Sequence, residues 1–258
     1  MSGEHLIVTV HGIRTFGQWQ ERLEKMTITK VNQENIEFVN YKFGYFSLVA
    51  FIIPLFRWLV VRRFRRELLK LCSTRPRLRV DLIGHSFGTH IIAWAVAGLP
   101  KESKIFIHTI ILSGSVLRAG FHWRDLLGTR VARVINDCGT KDAVLLLSQF
   151  FVLFTGMAGR TGFSGATSRV FRNRYSLFGH SGYFQDSNGK PIDGYMREYW
   201  LPLLTSDETL REFDFRKPNR FDGVVQIIAN NAEPIKLALY VTLLCFAFHL
   251  DLWDVRRR

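Results

Sequence analysis

The run Val80-Asp81-Leu82-Ile83-Gly84-His85-Ser86-Phe87-Gly88-Thr89-His90 passes from a short apolar strand, through a serine with a glycine two residues to either side, into the helix-like stretch Ile91-Ile92-Ala93-Trp94-Ala95. A serine used as a nucleophile has to stand at the apex of a turn tight enough to lift its side chain clear of the backbone. Only very small residues two before and two after it keep strand and helix from colliding. Ser86 is therefore the candidate nucleophile. The five-residue pattern Gly-x-Ser-x-Gly by itself arises by chance about one time in ten in a chain of this length; the strand before it and the helix after it give it meaning.

Upstream, residues 6–10 form a β-rich run ending at His11-Gly12, residues 19–30 have helical character and residues 36–41 alternate as a second strand. Residues 46–61 are very apolar, interrupted by Pro54 and Arg57, and a basic run follows. In it Val61, Phe64, Leu68 and Leu71 share one helical face while Arg62, Arg65, Arg66 and Lys70 lie away from it, which predicts an amphipathic helix between two strands. Downstream, strands are expected at 104–112, 131–136 and 169–176, and helices at 143–154 and 196–204. The glycine-rich residues 156–165 read as a flexible loop and a substrate-side flap. Strands alternating with helices predict an α/β fold, a mostly parallel central sheet with helices on both faces.

With 258 residues the chain suffices for one substantial α/β core, expected over residues 1–218, followed by a C-terminal helical extension over 219–258. The formal charge of +13 points to anionic surroundings, whether phospholipid headgroups, nucleic acid or an acidic substrate, and charge alone does not choose among them. Cys72, Cys138 and Cys245 are widely spaced, odd in number and without a Cys-x-x-Cys pattern, so neither a disulfide framework nor a zinc site is expected. A reducing, cytoplasmic setting follows as the expectation, with no metal and no cofactor. The N-terminus carries Glu4 where a signal peptide carries positive charge, and its apolar run is short for an h-region, so secretion by that route is not expected.

A serine hydroxyl is a poor nucleophile near neutral pH and needs a base within hydrogen-bond reach, itself oriented by a third group. Of eight histidines, His85, His90 and His108 fall in predicted strands or beside the nucleophile, His122 precedes the next strand, and His249 sits in an apolar run. His180, in Phe178-Gly179-His180-Ser181-Gly182, directly follows the last predicted strand, where a glycine-flanked loop can deliver an imidazole to the sheet edge; a surface-loop histidine is the alternative. The acid is sought in Asn136-Asp137-Cys138-Gly139-Thr140-Lys141-Asp142, where a strand turns through glycine into a helix. Asp142 leads, either as that helix's N-cap or in both roles, and Asp137, nearer the strand tip, is its rival. For an oxyanion, one backbone donor is expected from Phe87 and the other from Ile13, in the Val10-His11-Gly12-Ile13 turn after the first strand, with His11 as a structural brace for that loop.

Strand-His11-Gly12, Gly84-His85-Ser86-Phe87-Gly88, the Gly139-Thr140-Lys141-Asp142 turn and Gly179-His180 together resemble the α/β-hydrolase superfamily over about residues 5–204. The order Ser86, Asp142, His180 is the one that family uses. The resemblance implies its serine esterase and lipase branch most directly, and the serine at the elbow disfavours the relatives that use an aspartate nucleophile. Little sequence lies between Leu112 and Val131, where many members insert a helical cap, so a minimal cap is expected, with residues 46–59 and 156–165 as candidate covers.

Near the C-terminus only residues 237–248 form an unbroken apolar run, about 18 Å as a helix against a hydrocarbon core of about 30 Å. With Trp253, Arg256, Arg257 and Arg258 beside it, this apolar C-terminal helix is expected either to attach to a membrane, as an interfacial anchor or a marginal span, or to pack on the domain. The expected activity is hydrolysis of acyl esters, with a membrane lipid as a reasonable substrate and an anionic membrane surface as partner. A thioesterase or peptidase with the same residues and a non-catalytic basic binding module are the alternatives. Nucleic acid is not expected, since no nucleic-acid motif accompanies the basic helix.

Overall fold

The computed structural model of the protein describes residues 4–13, 18–30, 35–42, 51–73, 75, 78–206, 210–216 and 231–256. In chain order the elements are β1 (His5–Val10), α1 (Gln18–Lys30), β2 (Ile36–Tyr41), α2 (Pro54–Cys72), β3 (Arg79–His85), α3 (Phe87–Ala97), β4 (Ile107–Ser113), α4 (Trp123–Leu126), β5 (Val131–Gly139), α5 (Ala143–Phe151), α6 (Ala158–Thr161), β6 (Thr167–Ser168) and β7 (Phe171–Ser176). A π-helical turn, Met196–Trp200, then runs into α7 (Leu201–Thr205), and α8 covers Ala232–Arg256. The strands form one sheet in the order β2-β1-β3-β4-β5-β7-β6, parallel throughout except for the short β6 against β7.

Alternation along each strand assigns side chains to two faces. Leu6, Val8, Leu82 and Ile110 pack against Val61, Phe64 and Leu68 of α2 and Ile91 and Ile92 of α3. Ile7, Ile83, Ile111 and Ile135 pack on the other face against Trp19 and Leu23 of α1 and Trp200 and Leu203. The amphipathic reading of α2 holds, with these three residues buried and Leu71 partly buried against the same core, and Arg57 is buried with them. The chain goes from β1 outward to β2 by way of α1, then returns on the opposite face through α2 to place β3 on the other side of β1. That reversal opens a crevice beyond the carboxyl ends of β1 and β3, where open α/β sheets bind ligands.

Two expectations change. β5 continues to Gly139, so Asp137 belongs to a buried strand rather than to its tip. Residues 156–165 are not a flap: Gly156, Ala158 and Gly159 donate their N–H groups to the carbonyls of Val116, Leu117 and Ser115 at 2.8–2.9 Å, and Met157, Ala158 and Phe163 are buried. Their glycines serve close approach, since a Cβ on Gly159 would lie 2.0 Å from the Ser115 nitrogen. Between β4 and β5 only the four-residue α4 intervenes, so the cap is minimal. The expected domain boundary at 218, residues 46–50 of the apolar run and the terminal Arg257 and Arg258 lie outside the described residues. α8 buries Ala232 and Lys236 and exposes Ile235 and Leu237, and among the described residues no helix is long and apolar enough to cross a membrane.

Candidate active site

Ser86 joins β3 to α3 with φ 55° and ψ −123°, backbone that a residue bearing a Cβ rarely adopts and that costs about 1–3 kcal/mol. The turn is held from both sides. The Ser86 N–H donates to the Ser113 carbonyl at 2.9 Å, and Thr89 donates its N–H (3.0 Å) and its hydroxyl (2.6 Å) to the Ser86 carbonyl. The flanking glycines are sterically required: a Cβ on Gly88 would lie 2.1 Å from the Val10 carbonyl oxygen, and one on Gly84 would lie 2.9 Å from Ile92 Cδ1.

The loop after β1 crosses directly over this serine. A Cβ on Gly12 would lie 2.7 Å from Ser86 Cβ and 3.1 Å from its Oγ, so Gly12 can only be glycine while the loop stays where it is. Ile13 follows in the turn, partly buried, and Phe87, fully buried, begins the eleven-residue α3. Both expected oxyanion donors thus belong to segments that meet at Ser86. His11 Nδ1–H donates to the Gly12 carbonyl, and burial lowers its pKa, with the Gly12 hydrogen bond opposing and Lys42 adding to the effect. A neutral ring fastened to its own loop fits the bracing role.

At the other side of the crevice the β5–α5 turn and the loop after β7 are zipped together through backbone. Thr140 N–H donates to the Ser176 carbonyl and Lys141 N–H to the Phe178 carbonyl, both at 3.0 Å. The result is a 2.7 Å hydrogen bond from His180 Nδ1–H to Asp142 Oδ2, while Asp142 Oδ1 accepts the Leu145 N–H at 3.0 Å. Asp142 therefore caps α5 and orients His180 at once, with its side chain fully buried and that of His180 17% exposed. The imidazole rests over Gly114, where a Cβ would lie 3.1 Å from His180 Cε1; Gly114 also has φ +56°. Ser86 and His180 thus both border the Ser113–Gly114 end of β4, the serine through its N–H and the histidine through its ring. Among the described residues no hydrogen bond joins Ser86 Oγ to the imidazole; with Nδ1 committed to Asp142, Nε2 is the nitrogen left for proton transfer, and such contacts commonly tighten only with substrate bound.

The rival acid is otherwise employed. Asp137 takes a two-pronged pair from Arg174, Nε to Oδ1 at 2.5 Å and Nη2 to Oδ2 at 2.8 Å, plus the Trp200 indole N–H at 2.7 Å. Burial alone would lower the Arg174 pKa, but Asp137 more than reverses this and holds the guanidinium firmly charged. None of the other described histidines reaches the base position. His85 is fully buried with its ring centroid 4.8 Å from that of His180, and burial followed by the His180 charge pushes its pKa well below 6.5. A second cation is thereby kept away from the proposed base. His90 lies between Phe87 and Trp94, His122 stacks on Phe121, and His108 binds Asp81 at the far edge of the sheet.

Thr89 and Gly114 escaped the sequence reading. The Ser-Gly-Ser after the apolar β4 was an available signal for a tight turn at the site edge, whereas Arg174 opposite Asp137 follows from strand register, which no local pattern carries.

A parallel sheet with its chain reversal at β1 and β3, a strained serine at the end of β3, and acid and histidine loops after β5 and β7 in that chain order make one arrangement. The fold is that of an α/β-hydrolase. Solved structures to which this chain is similar include the phospholipase PlaB from Legionella pneumophila, at 20% identity and TM-score 0.30 over 44% of this chain and 25% of that one. An acylaminoacyl peptidase from Pyrococcus horikoshii is similar at 11% identity and TM-score 0.47, over 86% of this chain and 39% of that one. LpqC, a poly(3-hydroxybutyrate) depolymerase from Bordetella parapertussis, is similar at 12% identity and TM-score 0.42, over 86% and 85%. The chain covers 25%, 44% and 61% of the lengths of the first three matched chains. No protein-family model and no curated protein matches it. These likenesses are distant, and the fold stands on the sheet order, the elbow and the placement of the loops.

Proposed function

We propose that the protein is a serine hydrolase cleaving carboxylic acyl esters through Ser86, Asp142 and His180, acting at or near a membrane. The observation that carries this is the 2.7 Å His180–Asp142 hydrogen bond beside a serine held at φ 55° under Gly12. Ser86 Oγ attacks the ester carbonyl carbon as His180 Nε2 takes its proton, and Asp142 stabilises the imidazolium through Nδ1–H. The carbonyl oxygen becomes an oxyanion facing the N–H groups of Ile13 and Phe87, donors whose positions are fixed before reaction. His180 then protonates the departing alcohol, leaving an acyl-serine. Water, deprotonated by the same nitrogen, attacks it, and the acid is released as Ser86 regains its proton.

The test is covalent labelling by a fluorophosphonate together with hydrolysis of short p-nitrophenyl esters. Wild type should label at Ser86 and turn over, and Ser86→Ala, folded by circular dichroism, should lose both, with kcat falling on the order of 10⁶-fold. Full activity in Ser86→Ala overturns the assignment. Absence of labelling in wild type, with salt-sensitive nucleic-acid or protein binding instead, favours a non-catalytic basic module. A panel of matched oxygen esters, thioesters and anilides identifies the acyl leaving group, a clear preference for thioesters or anilides overturning the ester reading.

A further inference from the structure

Among the described non-glycine residues two have positive φ: Ser86, already accounted for, and Phe154 at φ 59°. Strained backbone persists where the surroundings over-determine it, and it concentrates at functional positions. The Phe154 ring gains no burial from its strain, being 57% exposed. Yet the turn that carries it is fixed at four successive residues. Tyr240 O–H donates to the Phe151 carbonyl, Lys236 Nζ to that of Val152 and Arg57 Nη2 to that of Leu153, while the Phe154 N–H donates to Glu233 Oε2. Arg57 and Lys236 are each 2% exposed; burial lowers both pKa values, that of Arg57 to about 10, with Tyr240 and Glu233 opposing for Arg57 and Glu233 opposing for Lys236. Two buried cations and two helices are thus spent on presenting an aromatic residue to the outside.

The three helices joined at this turn all carry exposed apolar side chains. Val144, Leu147, Phe150 and Phe151 line the outer side of α5; Leu55, Phe56, Trp58 and Leu59 stand out from the first turns of α2; Ile235, Leu237, Leu239 and Val241 stand out from α8. Monomeric proteins rarely leave so many large apolar side chains exposed around one turn unless they meet a partner. Exposed Arg62, Arg63 and Arg66 border it on α2, and the Arg62 guanidinium lies over the Trp58 ring at 5.2 Å.

We propose that this composite face of α2, α5 and α8 docks onto an anionic phospholipid bilayer, lying in its interface with Phe154 at the centre and the arginines among the headgroups. Aromatic and aliphatic side chains beside arginines suit the headgroup boundary, where apolar depth and negative charge occur together. A second copy of this chain suits it less, because a net charge of +13 would be brought against itself. The face also adjoins the proposed site. Asp142 is the N-cap of α5 and accepts the Leu145 N–H at 3.0 Å, so a molecule docked through α5 holds the Asp142 side of its crevice beside the lipid. Docking is independent of catalysis; only the corollary that membrane lipid is the substrate rests on the function proposed above.

The experiment is co-sedimentation of the full chain with vesicles of phosphatidylcholine alone or mixed 7:3 with phosphatidylglycerol. Wild type and Ser86→Ala should bind the anionic vesicles equally, and tryptophan emission should shift to the blue, a shift lost in Trp58→Phe. Phe154→Gly, which relieves the backbone strain, should keep or raise Tm yet weaken binding at least tenfold, and the double variant Leu147→Ser/Phe150→Ser should do the same if Phe154→Gly misfolds. Arg62→Glu/Arg66→Glu should remove the preference for anionic vesicles. Hydrolysis of soluble p-nitrophenyl esters should be unchanged in Phe154→Gly, Leu147→Ser/Phe150→Ser and Arg62→Glu/Arg66→Glu, while their release of fatty acid from vesicles falls. The proposal is overturned if wild type stays in the supernatant, if folded apolar variants bind as wild type does, or if wild type is a stable dimer that these substitutions split. Binding that persists in a protein without esterase activity would leave docking standing and remove the hydrolase reading alone.

Discussion

Each edge of the sheet carries a buried aspartate bonded to histidine, and the two pairs differ in what else reaches the carboxylate. At the amino edge Asp81 receives His5 Nε2 at 2.8 Å and His108 Nδ1 at 3.3 Å from the two neighbouring strands, and Arg79 Nε at 3.0 Å from two residues earlier on its own strand. Arg79 and Arg133 also donate to the Leu203 carbonyl near the end of α7, so the cluster fastens that helix to the sheet. At the carboxyl edge Asp142 receives one imidazole and one backbone N–H, and its histidine stands on a loop, partly exposed, near a strained serine. A histidine–aspartate pair is therefore no site in itself. Surrounded by cations within strands it braces; placed on loops near a strained serine, with no hydrogen bond to the second imidazole nitrogen among the described residues, it has the arrangement that the proposed proton transfer needs.

The comparison can be broken by substitution. Asp142→Asn keeps the cap on α5 but turns the imidazole to the wrong tautomer, and kcat should fall by about 10⁴-fold with Tm nearly unchanged; retained activity would mean that the two edges do not differ as described. Asp81→Asn should do the reverse, lowering stability in urea by about 3 kcal/mol, the low end for a broken buried pair because Arg79 reaches solvent, while kcat per folded molecule stays the same. Gly12→Ala, with its Cβ forced toward Ser86, should shift the proposed oxyanion loop and reduce kcat roughly 10²-fold, Tm moving little.

The two edges should also respond to acid in different pH windows. Burial, with Arg57 adding, lowers the pKa of His90 from 6.5 to about 3, and burial lowers that of His85 in the same direction. As pH falls below 6.5 the unfolded chain binds protons that the folded one refuses, so stability is full above that pH and declines by about 1.4 kcal/mol per unit for each such group. His90→Phe should flatten this slope by one proton in denaturation midpoints measured from pH 7 to pH 4. Asp81 acts later. Burial would raise its pKa, but hydrogen bonds from His108 and His5 and the charge of Arg79 reverse this and hold it well below the carboxylate range. Its contribution is present above the unfolded value of about 3.9 and is lost only as pH falls toward the depressed folded value, so Asp81→Asn should leave the pH 7 to pH 5 slope unaltered.

Much of the carboxyl edge was legible because its constraints are local. A glycine two residues either side of Ser86, glycine turns before Asp142 and His180, and apolar strands preceding each are short patterns fixed by sterics, and they lie in the chain order the resemblance implies. The glycines at 156 and 159 misled for an instructive reason: glycine marks flexibility and close packing with the same letter, and only the backbone of Ser115 and Leu117 lying against them tells the two apart. The amino-edge cluster of His5, Asp81 and His108 stayed hidden because its members come from three strands that share no sequence neighbourhood.

By itself, then, the sequence determined an alternating α/β chain with its elbow at Ser86, since backbone sterics and side-chain periodicity act within a few residues. The tertiary structure decided that Asp142 rather than Asp137 faces His180, because the register of β5 against β7 sets Arg174 opposite Asp137, and the backbone zipper between two distant loops brings His180 to Asp142. It also decided that α2 and α8 are both fastened to the turn that carries Phe154 at the end of α5. Hydrogen bonds from Arg57 and Lys236 across long sequence separations do this, and no periodicity within a single helix encodes them.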